Sequence, residues 1–172
     1  MNTVFFDVDT QLDFVNPSGA LYVPGAEKRI PAIAALNRRA PRVVSTVDAH
    51  PENDIEFRTW PPHCIVGTLG QRKPAETLVG STQIIFEKTT TDAFLNPRLL
   101  PLLADLAADR YVVYGVVTEI CVRFAALGLL ATGKQVDVVT DAIELLNPAA
   151  ADAFYAEFTA CGGRLVTSSK LQ

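Results

Sequence analysis

Four side chains with the chemistry of a hydrolytic site lie at or just beyond the ends of short apolar runs. They are Asp9, Asp48, Lys88 and Cys121. The carboxyl ends of parallel strands meet at one edge of a sheet, which is where open α/β sheets bind ligands. A thiol nucleophile, a carboxylate that moves protons and an ammonium that stabilises anions would therefore come together if these runs are parallel strands.

Cys121 is predicted to lie in the first turn of a helix, where free N–H groups and the helix dipole favour a thiolate and can hold an oxyanion. Lys88 would stabilise that thiolate or pair with a carboxylate. Asp9 would take the thiol proton and pass it to a leaving nitrogen. The alternatives are a small buried cysteine, a solvated lysine at a strand end and an aspartate that forms a turn.

A candidate metal site lies in the loop after the second apolar run. Both histidines of the chain, His50 and His63, are found there with Asp48 and Glu56. Imidazole and carboxylate ligands suit zinc, iron or manganese better than calcium. The alternative is a set of surface loop residues. Cys64, beside His63, is either a further soft ligand or a core residue.

The order of apolar runs and helical patterns predicts the elements that position these residues. Six strands are predicted, at Val4–Val8, Arg42–Val47, Gln83–Glu87, Arg110–Val116, Gln135–Val139 and Arg164–Thr167. Helices are predicted to open at Asn96-Pro97 and Asn147-Pro148, where a capping side chain precedes proline. Residues 48–82 are predicted to be a long irregular loop. The expected fold is one α/β domain over residues 1–172, a three-layer αβα sandwich with a six-stranded, mostly parallel, doubly wound sheet.

The composition excludes several classes of protein. The chain has 172 residues, 49% of them hydrophobic and 20% charged, which excludes disorder as its main state. A net charge of −4 argues against nucleic acid or an anionic membrane as a partner. With no signal sequence and an odd number of cysteines, reduced thiols and a cytoplasmic location are expected. Cys161, at the end of the last predicted helix, is interpreted as structural.

Three segments together resemble the isochorismatase-like cysteine hydrolase superfamily. Residues 6–14, FDVDTQLDF, resemble its D-x-Q-x-D-F motif, and residues 86–94 resemble the segment with the catalytic lysine. Residues 115–122, GVVTEICV, resemble the G-V-x-T-D-x-C-V nucleophile segment, with Glu119 where Asp is usual. The resemblance implies a catalytic Asp9, Lys88 and Cys121. It also implies a cis peptide between Val116 and Val117, and an oxyanion hole made by the N–H groups of Val117 and Cys121.

The loop motifs resemble those of the nicotinamidase and pyrazinamidase branch of the superfamily. Residues 48–53, DAHPEN, and 60–63, WPPH, are similar to its D-x-H-P-x-N and W-P-x-H elements. The resemblance implies that Asp48, His50 and His63 hold a divalent metal, zinc before iron or manganese, with Glu56 as a possible fourth ligand. It further implies that Trp60 stacks on a pyridine ring and that Phe14 forms a second wall.

The function implied by this resemblance is hydrolysis of nicotinamide, or a similar small heteroaromatic amide, to the acid and ammonia through a Cys121 thioester. A homo-oligomer and a role in NAD salvage follow from the same resemblance. The alternatives are an isochorismatase-type or other small-amide hydrolase, and a non-catalytic metal- or ligand-binding module. Asp7-Val8-Asp9 also resembles the D-x-D start of haloacid-dehalogenase-type phosphatases, in which Asp7 would be the nucleophile.

Overall fold

The computed structural model describes residues 1–171, which form a sheet with flanking helices. The strands are β1 (Thr3–Val8), β2 (Val43–Asp48), β3 (Gln83–Lys88), β4 (Arg110–Val116), β5 (Gln135–Glu144) and β6 (Arg164–Val166). The α-helices are α1 (Leu12–Val15), α2 (Ile30–Arg39), α3 (Leu99–Leu106), α4 (Arg123–Ala131) and α5 (Pro148–Ala160).

The six strands form one parallel sheet in the order β3-β2-β1-β4-β5-β6. The chain moves outward from β1 to β3, crosses back to β4 and then moves outward on the other side. Right-handed crossovers therefore place α2 on one face and α3, α4 and α5 on the other. The expected doubly wound α/β fold is confirmed, and every strand pairing is parallel.

The strands at the centre of the sheet are buried on both faces. Every residue of β2 and β4 is buried, and so is β1 from Val4 onward. Gly115 of β4 has a φ of 120°, and a Cβ there would lie 2.1 Å from the carbonyl oxygen of Val8. Only glycine permits this close approach of β4 to β1, at the point where the strand order reverses.

Some predicted boundaries differ from the structure. β5 continues to Glu144, beyond the predicted Val139, because the pairing of β4 with β5 shifts register and resumes. α3 begins at Leu99, since the Asn96 side chain accepts a hydrogen bond from the N–H of Arg98 and closes a turn before the helix. The predicted start of α5 is confirmed, with Asn147 accepting from the N–H of Ala150.

Residues 49–82 contain three single turns of 3₁₀ helix, at Ile55–Arg58, Ala75–Thr77 and Gly80–Thr82, and an isolated β-bridge between His50 and Ile65. The prediction of a long irregular loop is therefore confirmed. Among residues 1–171, no helix has both the length and the apolar character that a membrane span needs.

Candidate active site

The carboxyl ends of β1, β2 and β3 bring three charged side chains into contact. Lys88 Nζ lies 2.8 Å from Asp9 Oδ2 and 2.5 Å from Asp48 Oδ1. All three side chains are at most 5% exposed. The edge of the sheet predicted from the sequence thus brings together a buried ammonium and two carboxylates.

Asp9 is held in an uncommon conformation directly after β1. Its φ is 48°, a left-handed value that aspartate tolerates better than most residues. Its Oδ1 accepts a 2.7 Å hydrogen bond from the Thr46 hydroxyl. Burial raises the pKa of Asp9, with the ammonium of Lys88 opposing that effect and Asp48 adding to it. A carboxylate with a raised pKa is a better proton acceptor.

The ammonium of Lys88 stays charged in this buried position. Burial alone would lower its pKa, but Asp9 and then Asp48 raise it well above the ordinary value. The alternative predicted from the sequence was a solvated lysine at the end of a strand. The structure instead buries Lys88 between two carboxylates.

Cys121 lies in a turn of π helix, Thr118–Val122, that leads directly into α4. The sequence predicted Cys121 in the first turn of a helix, and the structure places it in the π turn just before α4. The peptide between Val116 and Val117 is cis, as predicted. Burial opposes the thiolate that is expected at this position. Burial raises the pKa of the Cys121 thiol, and the opposing effect of Lys88 is countered by Asp9 and Asp48.

Asp48, His50 and His63 form a cluster that could hold a metal ion. One donor atom from each lies within 4.8 Å of the others, and all three residues are buried. Nε2 of each histidine is 3.8 Å from Asp48 Oδ2. His50 Nε2 has no hydrogen-bond partner anywhere in the described chain. A buried imidazole nitrogen without a partner, facing a carboxylate, fits a divalent ion of the borderline type that nitrogen and oxygen ligands prefer.

The other ring nitrogens of the two histidines have defined partners. His50 Nδ1 is 3.0 Å from Asp54 Oδ2, and His63 Nδ1 is 2.7 Å from the carbonyl oxygen of Pro61. A carboxylate and a carbonyl only accept, so the neutral form of each ring has its proton on Nδ1, which leaves the lone pair of Nε2 for a metal ion. The ring of Phe57 packs against both imidazoles, at 5.4 and 5.7 Å between centroids.

Gln11 fixes the backbone of Asp48 from both sides. Its Oε1 accepts from the Asp48 N–H at 2.7 Å, and its Nε2 donates to the Asp48 carbonyl at 2.8 Å and to that of Gln71 at 2.7 Å. Sequence reasoning missed Gln11 and Asp54 as parts of the site. Gln11 was visible only as a motif residue, and Asp54 as an acidic residue four positions after His50.

A cavity of about 170 Å³ opens beside these groups. Its walls include Asp48, His63, Val117 and Cys121 together with Phe14, Leu21, Tyr22, Val23, Glu56, Trp60, Thr91, Ile120 and Leu146. The predicted wall residues Phe14 and Trp60 thus line one cavity with the predicted nucleophile. The volume is below the range of about 300–1,000 Å³ that is usual for pockets of drug-sized ligands, so a ligand here is small.

The remaining predicted residues lie outside the metal cluster. Glu56 lines the cavity, but it is not one of the three residues whose donor atoms converge. Cys64 is fully buried in an apolar cluster that includes Phe14 and Val117, which is the core alternative. Cys161 is exposed at the end of α5, because the chain leaves the helix there. It does not line the cavity, and its interpretation as structural stays a prediction.

The phosphatase alternative disagrees with the position of Asp7. This residue has no exposed surface, and its Oδ2 lies 2.8 Å from Lys73 Nζ. The same oxygen accepts hydrogen bonds from Asn37 and Ser45. A carboxylate enclosed in this way cannot attack a substrate.

Comparisons with known proteins show the family of the chain and solved structures with the same fold. The isochorismatase domain family model matches residues 3–170. The zinc complex of a Pyrococcus horikoshii pyrazinamidase has a TM-score of 0.90 and 31% identity, over 97% of this chain and 99% of that one. The L. infantum protein PnC1, solved with nicotinate, has a TM-score of 0.89 and 31% identity over 99% and 95%. The Escherichia coli nicotinamidase is 27% identical over 93% of this chain and 92% of its own length.

Proposed function

We propose that this chain, which belongs to the isochorismatase domain family, is a metal-containing cysteine amidohydrolase that converts nicotinamide, or a similar small heteroaromatic amide, to the acid and ammonia. The relatives described as nicotinamidases and pyrazinamidases support this assignment.

The observation that carries the proposal is the position of Lys88. One buried ammonium contacts both Asp9 and Asp48, and so links a proton-transfer group to a candidate metal ligand. Asp48 and Cys121 both line the cavity. A nucleophile and two candidate metal ligands at one small cavity, with a base joined to one of those ligands through Lys88, support catalysis over the non-catalytic binding module, since a module that only binds has no use for a thiol with a base.

The first half of the reaction forms a thioester on Cys121. Asp9 takes the proton from the neutral thiol as the sulfur attacks the carboxamide carbon. The N–H groups of Val117 and Cys121 stabilise the oxyanion that develops. Asp9 then gives its proton to the leaving nitrogen, the C–N bond breaks, and ammonia departs.

The second half of the reaction releases the acid. Asp9 takes a proton from water as that water attacks the thioester carbon, and the sulfur leaves. The proton on Asp9 returns to Cys121, which restores the thiol. Lys88 keeps Asp9 ionised between these steps, because a nearby positive charge stabilises the carboxylate.

The metal cluster and the aromatic walls of the cavity would bind the substrate. Asp48, His50 and His63 would hold a divalent metal, zinc before iron or manganese, which would act as a Lewis acid that binds and orients a ring nitrogen. Trp60 and Phe14 would enclose the flat ring, and Glu56, which also lines the cavity, is proposed as a further wall residue. The small cavity supports a single-ring amide.

The biological setting is proposed on the same basis. We infer a role in NAD salvage from the nature of the reaction, and a cytoplasmic location from three free cysteines without a disulfide in residues 1–171. A homo-oligomer is proposed because apolar side chains such as Ile85, Leu95 and Leu100 remain exposed. Light scattering on the purified protein tests this oligomeric state.

The decisive experiment measures ammonia release from nicotinamide by the purified protein. The assay is repeated after treatment with a chelator and again after Zn²⁺, Fe²⁺ or Mn²⁺ is added back. Metal-dependent release is expected. An absence of release under every metal condition, with nicotinamide and with other small amides, would contradict the proposal.

A Cys121→Ala variant separates catalysis from metal binding. It should lose turnover and keep the metal content of the wild type, because Cys121 is not part of the metal cluster. Alkylation of Cys121 that is slowed by nicotinamide would provide independent support. A Cys121→Ala protein that still releases ammonia would exclude the thioester route.

A further inference from the structure

The two histidines of the metal cluster differ in what holds their second ring nitrogen. His63 donates to a neutral acceptor, the carbonyl of Pro61, at 2.7 Å. His50 donates to a carboxylate, Asp54, at 3.0 Å. The side chain of Asp54 is only 8% exposed, so this charged contact is shielded from water.

The carboxylate of Asp54 is itself fixed in place. Its Oδ1 accepts a 2.9 Å hydrogen bond from the N–H of Glu56, as the cap of the 3₁₀ turn Ile55–Arg58. The backbone N–H of Asp54 donates to the carbonyl of Pro51 at 3.1 Å. Both oxygens and the backbone therefore have partners, and Oδ2 is directed at His50 by the turn.

We propose that Asp54 is a positioning residue for the metal site, acting through His50. It holds the His50 ring with its proton on Nδ1 and makes Nε2 a more electron-rich ligand than a histidine with a neutral partner would be. In many metal sites a carboxylate accepts a hydrogen bond from a histidine that binds the metal. Loss of that carboxylate typically weakens metal binding about 10- to 100-fold. This inference rests on the proposed metal-assisted function, and Asp54 touches neither substrate nor the reacting atoms.

The same turn ties Asp54 to the rest of the cavity. Phe57, whose N–H donates to the Asp54 carbonyl, packs its ring on both imidazoles. Glu56, between them, lines the cavity. Residues 54–57 thus form one turn that packs against both histidines of the metal cluster, with Asp54 as its charged contact.

The test measures Zn²⁺ affinity by competition with a chromogenic chelator, without any substrate. Asp54→Asn keeps the size of the side chain and an acceptor for the Glu56 N–H, and removes the charge. Its dissociation constant for Zn²⁺ should rise about 10- to 100-fold. Glu52→Gln is the matched control, because it removes one charge from an exposed position in the same loop and should leave the affinity unchanged.

Two results would overturn the inference. One is an Asp54→Asn protein with the Zn²⁺ affinity of the wild type. The other is an equal loss in Glu52→Gln, which would mean that general loop charge decides affinity. Asp54→Ser, which keeps a cap but cannot reach His50, repeats the test if Asp54→Asn does not fold.

A second readout compares the wild-type protein with Asp54→Asn. In the Zn²⁺-loaded form, nitrogen NMR of the imidazoles should show the His50 proton on Nδ1, and its signal should shift in Asp54→Asn while that of His63 stays unchanged. A proton on His50 Nε2 would contradict the proposal. Neither readout depends on nicotinamide, so a protein that binds Zn²⁺ as expected but releases no ammonia would refute the proposed function alone.

Discussion

Two buried lysine–aspartate pairs lie close together near the carboxyl end of β1, and only one of them has the features of a reactive site. Asp7 pairs with Lys73 and Asp9 pairs with Lys88, each at 2.8 Å. All four side chains are almost without exposed surface. The two pairs have the same residue types and the same burial, so neither property distinguishes their roles.

The difference lies in how completely the polar atoms are satisfied. Both oxygens of Asp7 accept hydrogen bonds, and their donors are Lys73, Asn37, Ser45 and Thr10. Asp9 Oδ2, in contrast, has the charge of Lys88 beside it but no aligned hydrogen bond within the described residues. A saturated network specifies structure, whereas a carboxylate with a free lone pair can accept a proton.

The largest expected effect separates the two aspartates in catalysis. Asp9→Asn should lower kcat by about 10²- to 10⁴-fold, because an amide cannot shuttle the proton of Cys121. The Thr46 hydrogen bond to Oδ1 survives this change. Steady-state ammonia release provides the measurement, and Asp7→Asn is the matched variant, whose folded fraction should keep kcat. Equal losses of kcat in Asp9→Asn and Asp7→Asn would contradict the different roles given to the two aspartates.

The next effect separates the two lysines in stability. Lys73→Met leaves Asp7 buried without its counter-ion, and should lower the free energy of unfolding by about 3–5 kcal/mol. Urea denaturation measures this loss, and ammonia release by the folded protein should persist. Lys88→Met, in contrast, should abolish ammonia release. A Lys73→Met protein with wild-type stability but no turnover would reverse the assigned roles.

Metal removal should lower stability only through the site that contains Asp48 and Lys88, and should leave the contribution of the Asp7–Lys73 pair unchanged. At a free metal concentration one hundred times the dissociation constant, binding contributes about 2.7 kcal/mol to the free energy of unfolding. A chelator should remove this amount equally from the wild type and from Lys73→Met, since the two contributions are independent. Thermal or urea unfolding with and without the chelator measures this loss of stability in both proteins. A smaller loss in Lys73→Met would show that the metal site and the Asp7–Lys73 pair are coupled.

The smallest effect concerns two glutamines, Gln11 beside Asp48 and Gln83 near Asp7. Gln11→Met leaves the N–H and carbonyl of Asp48 unpaired, at a cost of about 1–3 kcal/mol in stability, and should also weaken Zn²⁺ binding. Gln83→Met removes contacts with Ser45 and Thr77 near Asp7, and should reduce stability alone. Chelator competition and urea denaturation are measured on both. Weaker Zn²⁺ binding in Gln83→Met would contradict this division.

The sequence was most informative where one residue type carries the chemistry. Cys121, Lys88 and Asp9 were identifiable because each follows an apolar strand, and parallel strands end at one edge. The two histidines were identifiable by their scarcity. Gln11 and Asp54 were not, because their roles depend on backbone groups and rings that the fold brings to them, and a glutamine or aspartate in a loop has many ordinary uses.

The sequence by itself determined the α/β alternation, the long loop and the candidate residues, because strand and helix periodicity and residue chemistry are local properties. Only the tertiary structure decided which aspartate has an oxygen without an aligned hydrogen bond, that burial raises the pKa of the Cys121 thiol, and that Glu56 is not one of the three residues whose donor atoms converge. Those outcomes depend on burial and on the distances between charges from β1, β2 and β3. Such distances arise from the packing of strands that are far apart in the chain.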